Sequence, residues 1–393
     1  MTRRIAVLVA VGLLPNACAG VEGSGSLPAS NASVASSINR TAGLKTIFTF
    51  NGSDGAAPYG ALIALDGVLY GTTEGGGANN AGTAFSLTSN GSEKVLHSFG
   101  SDGSYPKGPL LALNGVFYGA TQSGGKSSDG TIFALRTNGK PLWSYDFKGG
   151  WDGGNPNGGL TALGAALYGT SYGGGNPYEN AGSFFKVTSS RNETVLRDFS
   201  GGADGGNPNG SLVLLHGAFY GTTHLGGIPY AQGGAVVRLT STGGETVLHR
   251  FGKSNDDGTL PEAGLLYYNG AFYGTTQTGG EYGLGTIFSI TPTGKESVIH
   301  SFGAPGDGTF PECPLLVYDG NFYGTTPDGG KNGWGTVFEV GPSGKERVLY
   351  DFTDTSDGGK PGSGLVALNG VLYGTTSGNL TTEPYGTVFA LTP

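Results

Sequence analysis

Residues 264–302 read GLLYYNGAFYGTTQTGGEYGLGTIFSITPTGKESVIHSF, and this stretch decides the fold. Four short runs of β-branched and aromatic residues alternate in it with Gly-rich turns, which is the pattern of consecutive antiparallel strands. Asn269-Gly270 predicts a two-residue hairpin, because Asn and Gly tolerate the positive φ angles of a type I′ turn. The stretch therefore predicts a four-stranded antiparallel sheet.

The same unit recurs along the whole chain. Tyr-Gly-Thr-Thr, or a near copy of it, begins at Tyr70, Tyr118, Tyr168, Tyr220, Tyr273, Tyr323 and Tyr373. Internal repeats of about fifty residues are typical of propellers and solenoids, and four antiparallel strands per repeat make one propeller blade. We predict an all-β, closed seven-bladed β-propeller over residues 44–393.

The two ends of the repeat region predict how the ring closes. Residues 44–50 (LKTIFTF) resemble a fourth strand such as residues 94–99 (KVLHSF), and they precede the first complete unit. The last unit reaches only its third strand, residues 386–392. Residues 44–50 are therefore expected to pair with residues 386–392, which leaves no unpaired sheet edge. An open solenoid would instead need polar caps at both ends.

The N-terminus predicts export. Arg3 and Arg4 precede an apolar run at residues 5–14, and Ala17-Cys18-Ala19 offers a cleavage site, so residues 1–19 are predicted to be a signal peptide. The apolar run is shorter than the about 20 residues of a transmembrane helix. Cys18 offers an alternative, lipid attachment, although Pro15 stands where a lipoprotein signal prefers Leu. Residues 20–43, rich in Ser, Ala, Gly and Asn, are predicted to be a flexible linker.

Composition narrows the function classes. The chain has 78 Gly among 393 residues, 13% charged residues and a net charge of −8. This acidic balance argues against nucleic acid and anionic membrane surfaces as partners. No helix follows the Gly-rich loops to bind a phosphate, and we expect no cofactor. Cys313 alone remains after the predicted signal peptide, so no intrachain disulfide is expected and Cys313 is interpreted as a packed apolar residue.

The repeat motif carries a family resemblance. In its Gly-x-Leu-Tyr-Gly-Thr-Thr-x-x-Gly-Gly segments, followed by Gly-Thr-x-Phe, the chain resembles the GloVer tandem-repeat family of bacterial exported proteins over residues 44–393. That family is associated with variable surface anchors, so the resemblance implies a secreted or cell-surface location. The chain departs from members with a C-terminal anchor because it ends inside its last repeat, which makes Cys18 the anchor candidate. The resemblance implies no activity.

Strand parity predicts which face of the disc binds ligands. Tight turns lie on one face, whereas the Gly-Gly loops and the Asp-Gly-x-x-Pro blade connections lie on the other, and long loops on a rigid scaffold commonly carry binding sites. Aromatic residues that break the repeat in these loops can stack on sugar rings or anchor a protein. The ligand-binding candidates are Trp334, Tyr282, Tyr230, Tyr178, Tyr385 and Trp151, and Tyr59 and Tyr105 also depart from the repeat. The alternative is that each aromatic residue seals its own loop.

Residues that do repeat have two interpretations. One Asp per blade precedes Gly and stands four residues before a Pro: Asp54, Asp102, Asp152, Asp204, Asp257, Asp307 and Asp357. A carboxylate ring could bind cations, but one carboxylate per blade spaces the groups widely, which favours a turn in which each Asp accepts its own loop's amides. The seven repeat tyrosines could line a stacking site, although packing between blades is favoured.

These patterns predict a non-catalytic module at the cell surface that binds a glycan or a cell-surface protein. The alternative is an extracellular polysaccharide lyase or hydrolase, for which Glu262 and Glu312 are the candidate pair. They follow the Pro of two successive blade connections, and glycoside hydrolysis uses two carboxyl groups. His97, His249 and His300 share a fourth-strand position with Phe, Tyr and Arg in other blades, which we interpret as a packing or surface position. No cluster has metal-ligand spacing, so no metal is predicted.

Overall fold

The computed structural model describes residues 43–228, 231–353, 355–378 and 384–393. The predicted signal peptide, Cys18 and nearly all of the predicted linker lie outside the described residues, as does Tyr230. Within the described part, the only helical element is a single 3-10 turn at Gly150–Asp152. That same part contains no helix with the length and hydropathy of a membrane span.

Seven four-stranded antiparallel sheets surround a central channel, as predicted. Each blade starts at its innermost strand and ends at its outermost one. The strands of blades 1 to 4 are Ile63–Leu65, Val68–Thr73, Thr83–Thr88 and Glu93–Ser98; Leu111–Leu113, Val116–Thr121, Thr131–Arg136 and Pro141–Asp146; Thr161–Leu163, Ala166–Ser171, Ser183–Thr188 and Glu193–Asp198; and Val213–Leu215, Ala218–Thr223, Ala235–Thr240 and Glu245–Arg250. Those of blades 5 to 7 are Leu266–Tyr268, Ala271–Thr276, Thr286–Ile290 and Glu296–Ser301; Leu316–Tyr318, Asn321–Thr326, Thr336–Val340 and Glu346–Asp351; and Val366–Leu368, Val371–Thr376 and Thr387–Leu391.

The N-terminal strand Leu44–Thr49 completes blade 7. It pairs antiparallel with Thr387–Leu391, with Leu44 opposite Leu391 and Thr49 opposite Thr387. Phe50 follows it and is buried in a core that blades 7 and 1 share. The ring is therefore closed by the first and last strands of the described chain, as the repeat pattern predicted.

Short strands tie the loops of one face together. The blade connection at Gly258–Thr259 pairs with the Gly-Gly loop at Thr278–Gly279, and Gly308–Thr309 pairs with Asp328–Gly329. The remaining short pair, Gly227–Ile228 with Ala231–Gln232, forms within one Gly-Gly loop. Blade connections and Gly-Gly loops thus share one face of the disc, which is the face that strand parity assigned to them.

The repeat motif is explained by close packing inside and between blades. In blade 7 a Cβ at Gly374 would lie 2.5 Å from the ring of Phe389, so only Gly lets the two strands approach. The buried hydroxyls of Thr376 and Thr387 are 2.9 Å apart across the same strands. Repeat tyrosines pack between blades as expected: the ring centroids of Tyr70 and Phe117, in blades 1 and 2, are 4.7 Å apart.

The repeat aspartates are turn residues. In all seven connections the carboxylate accepts a backbone N–H from two to four residues earlier, as Asp152 does from Lys148 at 2.8 Å. This geometry supports the turn interpretation over a carboxylate ring, because each carboxylate is held by its own loop. We call these segments the Asp loops.

The fourth-strand position of the histidines has a further role that the sequence did not indicate. His97 Nε2 lies 2.8 Å from Asp102 Oδ2, and Tyr145 donates its hydroxyl to Asp152 at 2.8 Å. The same contact is made by Arg197, His249, His300 and Tyr350. The interpretation as a packing or surface position was therefore incomplete: except for Phe48, the residue there holds the next Asp loop.

Candidate functional site

A cavity of about 380 Å³ occupies the centre of the loop face. The residue directly after the repeat Pro of every blade lines it. We call these seven residues the channel ring: Tyr59, Lys107, Asn157, Asn209, Glu262, Glu312 and Gly362. One backbone position thus presents five different residue types to a single cavity.

The backbone before the ring explains this convergence. In the connection to blade 5, Leu260 has a positive φ of 58°. Its N–H donates to Gly233 of the preceding blade at 2.9 Å, and its carbonyl accepts from Gln277 of its own blade at 3.0 Å. Pro261 and Ala263 are buried and Glu262 between them is half-buried against the cavity. The residue before the repeat Pro has a positive φ in all seven connections, so the ring positions are held in the same way.

A second tier of side chains surrounds the ring. It consists of the residues that follow Tyr-Gly-Thr-Thr, and two of them, Gln122 and Tyr172, line the cavity. Gln277 donates from Nε2 to Glu312 Oε1 at 2.6 Å. His224 Nδ1 lies 3.6 Å from Glu262 Oε1. Gln277 thus orients Glu312, whereas His224 lies near Glu262 without a hydrogen bond to it.

Tyr59, the ring residue of blade 1, reaches the ring residue of blade 6. Its hydroxyl donates to Glu312 Oε2 at 3.2 Å. Between them lies blade 7, whose ring residue is Gly362, and a Cβ there would lie 3.5 Å from the Tyr59 ring. Lys107 Nζ is 5.6 Å from the ring centroid of Tyr59, within cation–π range, and 3.3 Å from Glu74 Oε1. The 3.5 Å at Gly362 is an ordinary van der Waals distance, so the Tyr59 ring packs against the blade 7 position on its way to Glu312.

The electrostatics of the cavity favour the protonated forms of Glu262 and Tyr59. Burial and the neighbouring Glu312 raise the pKa of Glu262 to about 7, partly opposed by Lys107. Burial and the same acids raise the pKa of Tyr59 above its usual range, so Tyr59 keeps its proton and donates a hydrogen bond to Glu312. Burial lowers the pKa of His224. Near neutral pH, Glu262 can therefore give or take a proton in the cavity.

The predicted acid pair meets at this site, since Glu262 and Glu312 line the same cavity. Lys107, Asn157, Asn209, Gln122 and Tyr172 were missed. A usable signal existed: between a constant Pro and a small residue (Gly, Ala, Cys or Ser), the ring position varies among Tyr, Lys, Asn, Glu and Gly. A variable position at a fixed place in a repeat is where a propeller can carry ligand chemistry.

Of the aromatic residues that the sequence singled out, Tyr59 lines this cavity. Among the described residues, Trp334, Tyr282, Tyr178, Tyr385 and Trp151 do not. Four of them are exposed at the loops: Trp151 (60% exposed), Tyr178 (91%), Tyr282 (47%) and Tyr385 (42%). Trp334 is half-buried, with Lys360 Nζ 5.6 Å from its ring centroid. The aromatic residues thus stand apart at the loops, and their role in ligand binding stays a prediction.

Among the described residues, one group of side chains could hold a metal ion. It comprises His249, Asp257 and Glu296, whose ligand atoms lie within 4.8 Å of one another. These residues belong to the outer strands of blades 4 and 5 and the connection between them, and they are not among those lining the cavity.

Comparisons with known proteins bear on the family and the fold. A family model described as the Gloeobacter/Verrucomicrobia repeat matches residues 20–233, 96–270 and 216–393. No curated protein sequence matches the chain. Similar solved structures include a europium-containing methanol dehydrogenase, at 10% identity and a TM-score of 0.54, with 89% of this chain and 93% of that chain covered.

Two further structures are similar at the same level. One is a puromycin hydrolase at 12% identity and a TM-score of 0.52, with 82% of this chain and 50% of that chain covered. The other is the quinohemoprotein alcohol dehydrogenase of Comamonas testosteroni, at 11% identity and a TM-score of 0.51, with 88% and 76% covered. Identities this low show the propeller fold alone, because one fold hosts many unrelated functions.

Proposed function

The chain belongs to the Gloeobacter/Verrucomicrobia repeat family, and we propose that it is an exported propeller that binds a glycan in the channel cavity. The observation that carries the proposal is the channel ring. Seven residues at one repeated backbone position face a single cavity, and they supply carboxylates, amides, an ammonium and a phenol. The Pro before each ring residue is constant and the residue after it is small (Gly, Ala, Cys or Ser), so the ring position carries most of the polar variety that faces the cavity.

The chemistry of the cavity favours a sugar over a protein surface. Its volume of about 380 Å³ suits a small ligand or the end of a chain, since ligand pockets typically measure about 300–1,000 Å³. Asn157, Asn209 and Gln122 offer both donors and acceptors for hydroxyl groups, and Tyr59 and Tyr172 offer aromatic rings for stacking. A protein partner could reach the cavity only with one protruding side chain.

The exposed aromatic residues would extend this site for a longer glycan. Tyr282 and Trp151 are exposed on loops of the same face as the cavity. Stacking on such residues adds affinity without setting the position of the chain end. We therefore expect substitutions in the cavity to abolish binding, and substitutions of the loop aromatics to weaken it.

The test is a glycan microarray probed with the mature protein. Wild type should give signals for a defined set of glycans, Glu262→Gln and Tyr59→Phe should lose them, and Tyr282→Ala should retain them at reduced strength. Trp334→Ala is the second loop variant and should likewise retain the signals at reduced strength. Loss on Tyr282→Ala with full retention on Glu262→Gln would assign binding to the loop aromatics instead. A silent array together with capture of an envelope protein by wild type would favour a protein ligand.

A second function, glycan hydrolysis, is favoured by one observation. Glu262, with a pKa raised to about 7, and Glu312, which accepts hydrogen bonds from Tyr59 and Gln277, line the same cavity. An acid that can donate a proton beside a second carboxyl group is the pairing that glycosidases use. Release of reducing ends from polysaccharides, abolished in both Glu262→Gln and Glu312→Gln, would establish this function.

Export and anchoring are part of the proposal. They are supported by the basic, apolar and small-residue segments of residues 1–19. N-terminal sequencing of the mature protein should find a start at or just after residue 19. Incorporation of labelled palmitate, lost in Cys18→Ser, would show lipid anchoring instead.

A further inference from the structure

Pairs of carboxylates meet between the outer strands of neighbouring blades, away from the channel cavity. In five blades the outermost strand begins with a Glu that approaches the Asp loop leading into that blade: Glu93, Glu193, Glu245, Glu296 and Glu346. In each of these five, the Oε1 atom is buried and has no hydrogen-bond partner. Two facing carboxylates out of solvent need either a proton or a cation between them.

At the interface between blades 3 and 4, an arginine side chain supplies this positive charge. Arg197, at the fourth-strand position of blade 3, lies 3.0 Å from Asp204 Oδ2 and 2.7 Å from Glu245 Oε2. Its guanidinium therefore bridges the Asp loop and the first residue of the next outer strand. Because the side chain of Glu245 is only 7% exposed, this positive charge compensates two largely buried carboxylates.

His249 replaces Arg197 at the next interface. It occupies the same fourth-strand position in blade 4, as the segments ETVLRDF and ETVLHRF show. Its Nε2 lies 3.3 Å from Asp257 Oδ1, and Glu296 completes the group. An imidazole in place of the guanidinium offers the two carboxylates a nitrogen ligand for a shared cation. Among the described residues, this is the group whose three ligand atoms lie within 4.8 Å of one another.

We propose that His249, Asp257 and Glu296 bind a divalent transition-metal ion, with Zn²⁺ as the expected species, that links blade 4 to blade 5. Zn²⁺ takes imidazole nitrogen and carboxylate oxygen at about 2.0–2.2 Å, which small side-chain movements provide. One imidazole with two carboxylates favours such an ion over Ca²⁺ or Mg²⁺, which prefer oxygen ligands throughout.

The first two ligands are already oriented. The ring of His249 packs edge-on against Phe251 at a centroid distance of 4.8 Å. The second oxygen of Asp257 accepts the backbone N–H of Lys253 at 3.1 Å. Such supporting contacts fix ligand orientation in metal sites. The three ligands come from two blades and a connection, which is why spacing along the sequence predicted no metal.

The experiment titrates ZnCl₂ into the tag-free mature protein by calorimetry after dialysis against a chelator. Wild type should bind one equivalent, and its Tm should rise with the logarithm of the zinc concentration. His249→Arg recreates the charge pattern of the Arg197 interface, so it should fold, lose the bound equivalent and show no zinc-dependent rise in Tm. The matched control is His300→Arg, which changes the same position one blade later and should bind Zn²⁺ within about twofold of wild type.

Absence of stoichiometric binding in wild type would overturn the proposal, as would binding that survives in His249→Arg. Loss of binding in His300→Arg but not in His249→Arg would overturn the assignment to this interface. Glu296→Gln provides an independent variant with a minimal change of shape. It should weaken Zn²⁺ binding at least tenfold, and unchanged affinity in a folded Glu296→Gln protein would also reject the site.

Discussion

The Asp loops and the channel ring lie five residues apart in every blade connection, and they follow opposite rules. In the Asp loops the same side chain makes the same backbone hydrogen bond seven times, as Asp257 does with Lys253 and Asp357 with Thr353. In the channel ring the same backbone position presents different chemistry in most blades. The comparison teaches that in this propeller the repeated Asp supports the fold, whereas the varying position that faces the cavity is the candidate site. Variation alone does not mark a site, since the fourth-strand position also varies and holds the Asp loops.

The two regions differ in which polar groups lose their hydrogen-bond partners when a side chain is substituted. The Asp loops contact hydroxyls buried between strands: Thr131 Oγ1 donates to the carbonyl of Asp102 at 3.1 Å. Loss of a buried partner costs the full desolvation of the remaining group. Ring residues such as Asn157 are half-buried at a cavity, where water can replace a lost partner. Changes in the ring should therefore cost little stability.

The largest expected effect comes from removing the strand that closes the ring. Deletion of residues 44–50 removes the outermost strand of blade 7 and leaves Thr387–Leu391 as an exposed edge. Loss of the buried Phe50 alone costs about 3–5 kcal/mol of unfolding free energy. We expect loss of cooperative thermal unfolding, measured by circular dichroism, and aggregation. A truncation that starts at residue 43 is the control and should unfold like the mature protein.

A smaller effect is expected from one buried hydroxyl pair. Thr326 and Thr336 have hydroxyls 2.9 Å apart, both fully buried. Thr326→Val should lower the free energy of unfolding in urea by about 1–3 kcal/mol, because the partner hydroxyl loses its bond. Blade 4 provides the matched control, since Thr223 there faces Ala235, and Thr223→Val should cost less. Equal costs would show that the hydroxyl pair does not support the framework.

The pH dependence of stability is expected to differ between an acid at a blade interface and an acid of the channel ring. Burial and the neighbouring Asp152 raise the pKa of Glu193, at a blade interface, from 4.5 to about 8. The folded state then holds a proton that the unfolded state releases, so stability from this group is full below pH 4.5 and is lost as pH rises towards 8. Glu193→Gln should flatten the fall in Tm between these values and leave glycan binding unchanged.

Glu262→Gln is the comparison from the ring. The pKa of Glu262 is raised to about 7, so this variant should flatten the stability profile only up to that pH, and it should abolish glycan binding. A Glu193→Gln protein that retains the wild-type pH profile of Tm would contradict the interface explanation.

The repeat made the fold predictable. Seven copies of one motif gave blade number, strand order and the pairing of residues 44–50, because each copy reports the same local geometry. The Asp loops were predictable for the same reason: a repeated Asp before Gly has a local hydrogen-bonding role in every copy.

The site was predictable only in part. Glu262 and Glu312 were identified because equivalent positions on neighbouring blades must lie near each other. Tyr59 and Lys107 belong to the same ring but differ from them in type, so no motif connects them until the seven connections converge in space. The aromatic candidates were chosen because they break the repeat in the loops, and that pattern does not bring Tyr178 and Tyr282 into a cavity. The group formed by His249, Asp257 and Glu296 spans two blades, which spacing along the chain does not reveal.

The central claim is that the channel ring binds the ligand and does not hold the fold, and Glu312→Gln tests it most directly. One preparation would be measured for urea unfolding and for glycan binding on the array, beside wild type. Glu312 accepts hydrogen bonds from Tyr59 and Gln277, and the amide keeps its shape while losing its charge. We predict an unfolding free energy within about 1 kcal/mol of wild type and at least a tenfold loss of glycan signal. Unchanged glycan binding, or a loss of stability as large as that of Thr326→Val, would contradict the account.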